Sequence, residues 1–264
     1  MFKLDENLMY KMPVHFGGGE FDPEAQLTQK AISLYTSYES DKDLLENYLP
    51  EEFELISPEV QVVFSKFTEI NWMYGGDYNL VDISLPVRFE GEEDQLDGKY
   101  PLVVWENNPL PIMGGREETG IPKIYADIGD LKILKPHYTT SASLNGYTFL
   151  NLYFESTDEI VGSDLEEVKS LFSSVNTIGW RYIPKVGVPG TELSQFILYP
   201  QGVNVEKAFG GNAVIKWIES TPMQNPSQSH IINSLASLPI KKMNTAILSE
   251  GIAILKANGA SVLK

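Results

Sequence analysis

Polar and apolar positions along this chain alternate mainly with a period of two. Val81, Ile83, Leu85, Val87 and Phe89 fall on one face of an extended segment, and Asp82, Ser84 and Arg88 fall on the other. That is the pattern of a strand with one buried face. Further strand-like runs cover 60–70 (VQVVFSKFTEI), 78–89, 100–106 (YPLVVWE), 140–155 (TSASLNGYTFLNLYFE), 193–200 (LSQFILYP) and 212–219 (NAVIKWIE), with Gly, Pro and Asp turns between them. Their spacing predicts an antiparallel sheet or barrel. The acidic stretch 90–99, which contains Asp97-Gly98, reads as the exposed loop of a hairpin.

Two segments follow a helical period instead. Residues 40–50 (SDKDLLENYLP) start with Ser40 or Asp41 as N-cap and stop at Pro50. Residues 162–175 carry the capping pattern Ser163-x-x-Glu166 and an apolar stripe through Leu165, Val168, Leu171 and Phe172. Both read as covers for a sheet. The last quarter, 237–259, is expected to return to the sheet or to end as a helix. No repeat, low-complexity tract or dividing linker interrupts the chain, so residues 1–264 are expected to form one β-rich α+β domain.

A chain of 264 residues can bury roughly three quarters of its unfolded surface, enough to shelter an interior site. Its 36 Asp and Glu against 20 Lys and Arg give a formal net charge of −16. Such a field repels nucleic acid and anionic membranes, so neither is an expected partner. The absence of cysteine removes disulfides, thiolate nucleophiles and thiolate zinc sites. No apolar run of signal-peptide or membrane-span length occurs, and a cytoplasmic location is expected.

Most catalytic motifs are missing as well. His15, His137 and His230 do not share metal-ligand spacing, and no metal site is expected. The glycine-rich stretches at 17–20 and 208–212 match no phosphate-binding loop, and no G-x-S-x-G elbow is present. Acidic clusters such as Glu90 to Asp97 read as solvated charge, and Trp72, Tyr74, Tyr78 and Trp105 read as core packing.

One lysine stands apart. In GGREETGIPKIYAD (114–127) the glycine pair reads as a turn, Arg116, Glu117 and Glu118 follow, a second turn comes at Gly120, and Lys123 is held between Pro122 and Ile124. An amine attacks ketones only when uncharged, and neighbours that withhold water favour that form. Ile121, Pro122 and Ile124 are neighbours of that kind, and Pro122 restricts the backbone that aims the side chain. Arg116, Glu117 and Glu118 are placed to pair with one another or to hold the carboxylate and hydroxyl groups of a substrate.

The run G-R-E-E-x-G-x-P-K-x-Y-A-D (115–127) resembles the active-site segment of the acetoacetate decarboxylase superfamily. Weaker likenesses follow in order along nearly the whole chain: MPVHFGG (12–18), LPEEFEL (49–55), ISLPVRFEG (83–91) and SLPIKKM (237–243). The resemblance implies a closed, cone-like antiparallel β-barrel or double sheet with a few flanking helices, and a homo-oligomer. It also implies an interior lysine, Lys123, that forms a Schiff base with a small keto acid and requires no cofactor. Three departures accompany it. The second lysine of the family's motif is Ile124 here, the family's glutamate after a tyrosine is Leu80, and no arginine precedes Arg88, which leaves Lys30 as the substitute.

These features point first to a Schiff-base lyase that decarboxylates an acetoacetate-like 3-oxo acid. Lys123 is its nucleophile and Arg116, Glu117, Glu118 and Tyr78 are its candidate substrate-binding residues. Glu118, Tyr78 and Tyr125 are the candidates for the general acid. An aldolase or dehydratase could use the same iminium on pyruvate-like substrates. A different class of reading is a barrel that binds a small ligand and whose chemistry has lapsed.

Overall fold

The computed structural model describes residues 2–244 and 246–264. Ten strands carry the architecture: β1 (Leu27–Glu39), β2 (Glu59–Ile70), β3 (Gly76–Glu90), β4 (Gln95–Glu106), β5 (Lys123–Tyr125), β6 (His137–Leu144), β7 (Tyr147–Ile160), β8 (Val175–Pro184), β9 (Thr191–Trp217) and β10 (Ala246–Leu255). Among the described residues, four α-helices flank them: α1 (Lys42–Glu46), α2 (Pro109–Thr119), α3 (Gly162–Ser173) and α4 (Ser229–Ala236).

Seven of the strands close on themselves in the order β1-β2-β3-β4-β8-β9-β10 and back to β1. The expected closed, β-rich α+β architecture is therefore present. Its neighbours are antiparallel except β4 against β8, which meet in parallel at Thr177 and Lys99. β9 is long enough to belong to the ring through Val175–Pro184 and then to leave it, pairing its far end with β7. β6 and β7 thus form a second layer. The main core lies where Leu34, Phe64, Ile83 and Trp105 of the ring meet Tyr138, Phe149 and Leu152 of that layer and Ile232 and Leu235 of α4.

The alternating residues of β3 behave as their pattern demands on one face and depart from it on the other. Val81, Ile83, Leu85, Val87 and Phe89 are buried in the core, each worth roughly 1.5–3 kcal/mol relative to exposure. Asp82 and Ser84 are buried too. Arg88 near the strand end is exposed, but a closed ring covers both sides of its strands, so at Asp82 and Ser84 the polar face looks into the enclosed space. There Asp82 meets Lys99 at 2.6 Å and accepts a hydrogen bond from Ser84.

Several local expectations are revised. The hairpin after β3 turns at Gly91–Asp94, where Gly91 N–H donates to the Asp94 carbonyl at 3.0 Å. Asp97-Gly98 lies inside β4, opposite Val87 and Arg88. The 140–155 run is two strands, β6 and β7, joined at Asn145 and Gly146, both with positive φ as a tight hairpin requires. The runs 193–200 and 212–219 fuse into the single strand β9.

α1 is capped by Asp41, whose side chain accepts from the Asp43 N–H. α3 is capped at Val161 without a side-chain bond, and the Ser163 hydroxyl donates to Asp164 instead. Leu165, Val168 and Phe172 of α3 pack on Val205 and Ala208, whereas Leu171 is exposed. Of the two outcomes expected for 237–259, the return to the sheet is found, as β10; Thr245 within that stretch lies outside the described residues.

Candidate active site

α2 is built from signals on either side of it. Asn108 accepts from the Leu110 N–H, Pro109 supplies the first turn, and Gly120 closes the helix in the left-handed region at φ 66°. Gly114 and Gly115 sit inside this helix, so the turn expected at that glycine pair is helical instead. The chain then runs through Pro122, whose carbonyl accepts from the Val104 N–H, and enters β5 beside β4 in parallel. That register places Lys123 next to Val104 and Tyr125 next to Glu106.

Lys123 is not a lone amine. Its Nζ lies 2.9 Å from Oε1 of Glu106 and donates to the Pro111 carbonyl at 3.1 Å. The Lys123 side chain is 13% exposed and that of Glu106 is 0% exposed. The amine is therefore largely buried, yet it faces two oxygen atoms and not apolar groups alone. Neither Glu106 oxygen has a well-directed hydrogen bond. Burial pushes the Glu106 carboxyl up, the Lys123 ammonium draws it back, and Asp82 adds to the rise.

Two details fix this pair. Gly115 leaves the space through which the lysine passes: a Cβ there would stand 2.5 Å from Lys123 Cδ and 2.6 Å from Cε. On the other side, Gln228, just ahead of α4, accepts from the Trp105 Nε1–H and donates to the Tyr125 carbonyl, each at 2.8 Å. One buried amide thus clamps the strand that carries Glu106 to the strand that carries Lys123.

Lys123 opens into a cavity of about 250 Å³. Tyr78, Glu117 and Glu118 of the sequence-based set line it, and so do Lys11, Trp72 and Tyr199. Burial raises the phenols of Tyr78 and Tyr199, so both remain protonated donors near neutrality. Tyr78 exchanges long contacts of 3.3 and 3.4 Å with Gln29. The Trp72 indole N–H is buried without an acceptor. Glu118 pairs with Lys11 at 2.5 Å.

Arg116 and Tyr125 lie outside the cavity. The Arg116 guanidinium is exposed and donates to the Lys123 carbonyl at 2.9 Å, which steadies the backbone at Lys123. Tyr125 donates to Asp127 at 2.8 Å. Lys30 pairs with Glu69 at 2.6 Å and does not reach the site; the N-terminal cation that does is Lys11. Ile124 packs against the main core. Among the described residues, no group of three His, Asp or Glu side chains gathers as a metal site. No described helix is long and apolar enough to cross a membrane.

Besides the cavity-lining Lys11 and Tyr199, the sequence reading missed Glu106. Its signal was present: it is the one charged residue closing the apolar run YPLVVWE. Charged side chains are almost never fully buried without a partner, so a carboxylate at the end of such a run calls for a cation.

The family model for acetoacetate decarboxylase matches residues 11–253. The chain belongs to the acetoacetate decarboxylase family. Acetoacetate decarboxylase 1 of Bradyrhizobium diazoefficiens is 34% identical over 87 residues, 33% of this chain and 32% of that protein. The acetoacetate decarboxylase of Burkholderia mallei is 33% identical over 90 residues, 34% of each chain. These alignments thus span about a third of the relatives' length. Acetoacetate decarboxylase from Legionella pneumophila has the same fold, with a TM-score of 0.74 at 20% identity over 94% of this chain and 92% of that one. MppR, an enduracididine biosynthesis enzyme complexed with pyruvate, also matches at 0.74, with 13% identity over 98% of this chain and 99% of its own. At these identities the structures speak for the fold alone.

Proposed function

We propose that this protein is a Schiff-base lyase that decarboxylates a 3-oxo acid. The observation that carries the reading is the 2.9 Å approach of Lys123 Nζ, which lines a 250 Å³ cavity, to the fully buried Glu106 carboxylate behind it. A carboxyl raised by burial is a suitable acceptor for the ammonium proton. Proton transfer from Nζ to Oε1 leaves an amine that adds to the substrate ketone, forming a C–N bond and a carbinolamine. The proton held on Glu106 then leaves with the carbinolamine oxygen as water, and a protonated imine remains. It accepts the electron pair of the bond to the carboxylate as carbon dioxide departs. The resulting enamine is protonated on carbon, and water hydrolyses the imine to free the ketone and Lys123.

Among the described residues that line the cavity, the cation besides Lys123 is Lys11, which pairs with Glu118. Weak neutralisation suits a carboxylate that must leave as a neutral molecule. The test is carbon dioxide release from acetoacetate by the wild type and by Lys123→Arg. Release that depends on Lys123 supports the proposal, and equal release by both chains overturns it.

A second reading keeps the imine but retains the carboxylate. It is favoured by Ile124, which leaves the site without an amine beside Lys123. In this reading the enamine of a pyruvate-like acid attacks an aldehyde, and one neighbour of the same fold is described in complex with the condensation product of pyruvate and imidazole 4-carboxaldehyde. Pyruvate consumption that requires an aldehyde, without carbon dioxide release, would select it.

A further inference from the structure

A second cavity of about 420 Å³ occupies the space enclosed by the ring, and all seven ring strands contribute to its wall. Leu255, the last residue of β10, lines both this lumen and the Lys123 cavity. Leu80 stands beside the same partition: it packs against Phe67 and Tyr78 in one cluster and against Val104 and Tyr199 in another. Two aliphatic side chains therefore mark the boundary between the two spaces.

Unpaired polar atoms are distributed unequally across that boundary. At the Lys123 end, Glu106 Oε2 and Trp72 Nε1 are buried without hydrogen-bond partners. In the lumen, Asp82 is held by Lys99 at 2.6 Å, and the Ser33 and Ser65 hydroxyls pair at 2.7 Å. Among the described residues, no buried polar atom without a partner belongs to the lumen wall. The lumen wall includes an apolar cluster of Phe67, Val203 and Ala253. The Lys123 cavity alone already exceeds a four-carbon keto acid, which needs the space of three or four waters, ~100 Å³.

We infer that the ring lumen is a chain subsite: the polar head of the substrate sits at Lys123, and an alkyl substituent passes Leu255 into the lumen. This makes the substrate a 3-oxo acid longer than acetoacetate. The identity of the head rests on the Schiff-base reading above, whereas the preference for a chain does not depend on an imine.

The two are separated by measuring calorimetric binding of butanoate and octanoate, which have no ketone, to the wild type. Each buried methylene is worth about a fourfold gain in affinity, so octanoate, with about four more of them than butanoate, should bind on the order of 200-fold tighter. Val203→Phe, which fills the lumen, should bring octanoate to within about threefold of butanoate; should that variant not fold, Ala253→Leu serves the same purpose. Equal binding of the two acids by the wild type, or an octanoate advantage that survives lumen filling, overturns the inference. Trapping with borohydride distinguishes the remaining cases. An octanoate advantage without any keto-acid adduct keeps the subsite and removes the Schiff base; an acetoacetate adduct without chain preference does the reverse.

Discussion

Replacing Gly115 with alanine should separate the chemistry of the site from the stability of the fold. A Cβ at this position would stand 2.5 Å from Lys123 Cδ, 2.6 Å from Cε and 3.0 Å from Nζ. Carbon atoms rest at about 3.5–4.0 Å, so the lysine stem must retreat by about 1 Å. That movement carries Nζ out of its 2.9 Å contact with Glu106. Misplacing a reacting atom by this much costs on the order of 100-fold in rate. Stability should move little, because alanine gains up to ~1 kcal/mol over glycine inside a helix while residual crowding takes back a similar amount. Gly114→Ala is the control: its Cβ would meet only Glu118 Oε1, at an ordinary 3.5 Å. The assay is the rate of borohydride trapping with acetoacetate, set beside urea unfolding of the same samples. A folded Gly115→Ala chain that traps at the wild-type rate would refute the claim that the lysine's position matters.

Other perturbations test separate links. Glu106→Gln keeps the shape but removes the proton acceptor, and adduct formation should fall about 100-fold or more in stopped-flow measurements. Because burial raises the Glu106 carboxyl above its reference value of 4.5, the folded state binds that proton more tightly than the unfolded chain does. Its stabilising contribution is thus complete below pH 4.5 and is lost as pH rises through the raised value. Thermal scans from pH 4 upward should show the wild type losing stability relative to Glu106→Gln, and a gap independent of pH would contradict this. Gln228→Leu leaves the Trp105 N–H and the Tyr125 carbonyl unpaired; a loss of about 2–4 kcal/mol in urea unfolding is expected. Gly179→Ala would place a Cβ 2.1 Å from the Thr119 carbonyl, so it should lower both stability, by roughly 1–3 kcal/mol or more, and trapping.

Much of the strand content was legible because period-two alternation is a local property. Val81 to Phe89 read correctly on their apolar face, while the polar face misled. Nothing local announces that a ring will close and bury Asp82 and Ser84 as well. α2 went unread although Asn108-Pro109 and Gly120 flank it, because Gly114-Gly115 looks like a turn until the lysine that must cross them is known. Lys123 stands out in the sequence by its neighbours and its motif. Glu106 was not, since its pairing with Lys123 depends on a parallel register between β4 and β5 across an intervening helix. Arg116 was counted with the substrate groups because it is adjacent in sequence; helical geometry turns its guanidinium to the Lys123 carbonyl.

The most direct test of the account is borohydride reduction of the wild type during exposure to acetoacetate, followed by tryptic mass mapping. Reduction of the acetone imine should leave an isopropyl group on Lys123, within the Glu117–Lys132 peptide that results when cleavage at the modified lysine is blocked. An unmodified Lys123 after reduction with every 3-oxo acid tried, or an adduct carried only by other lysines, would contradict it.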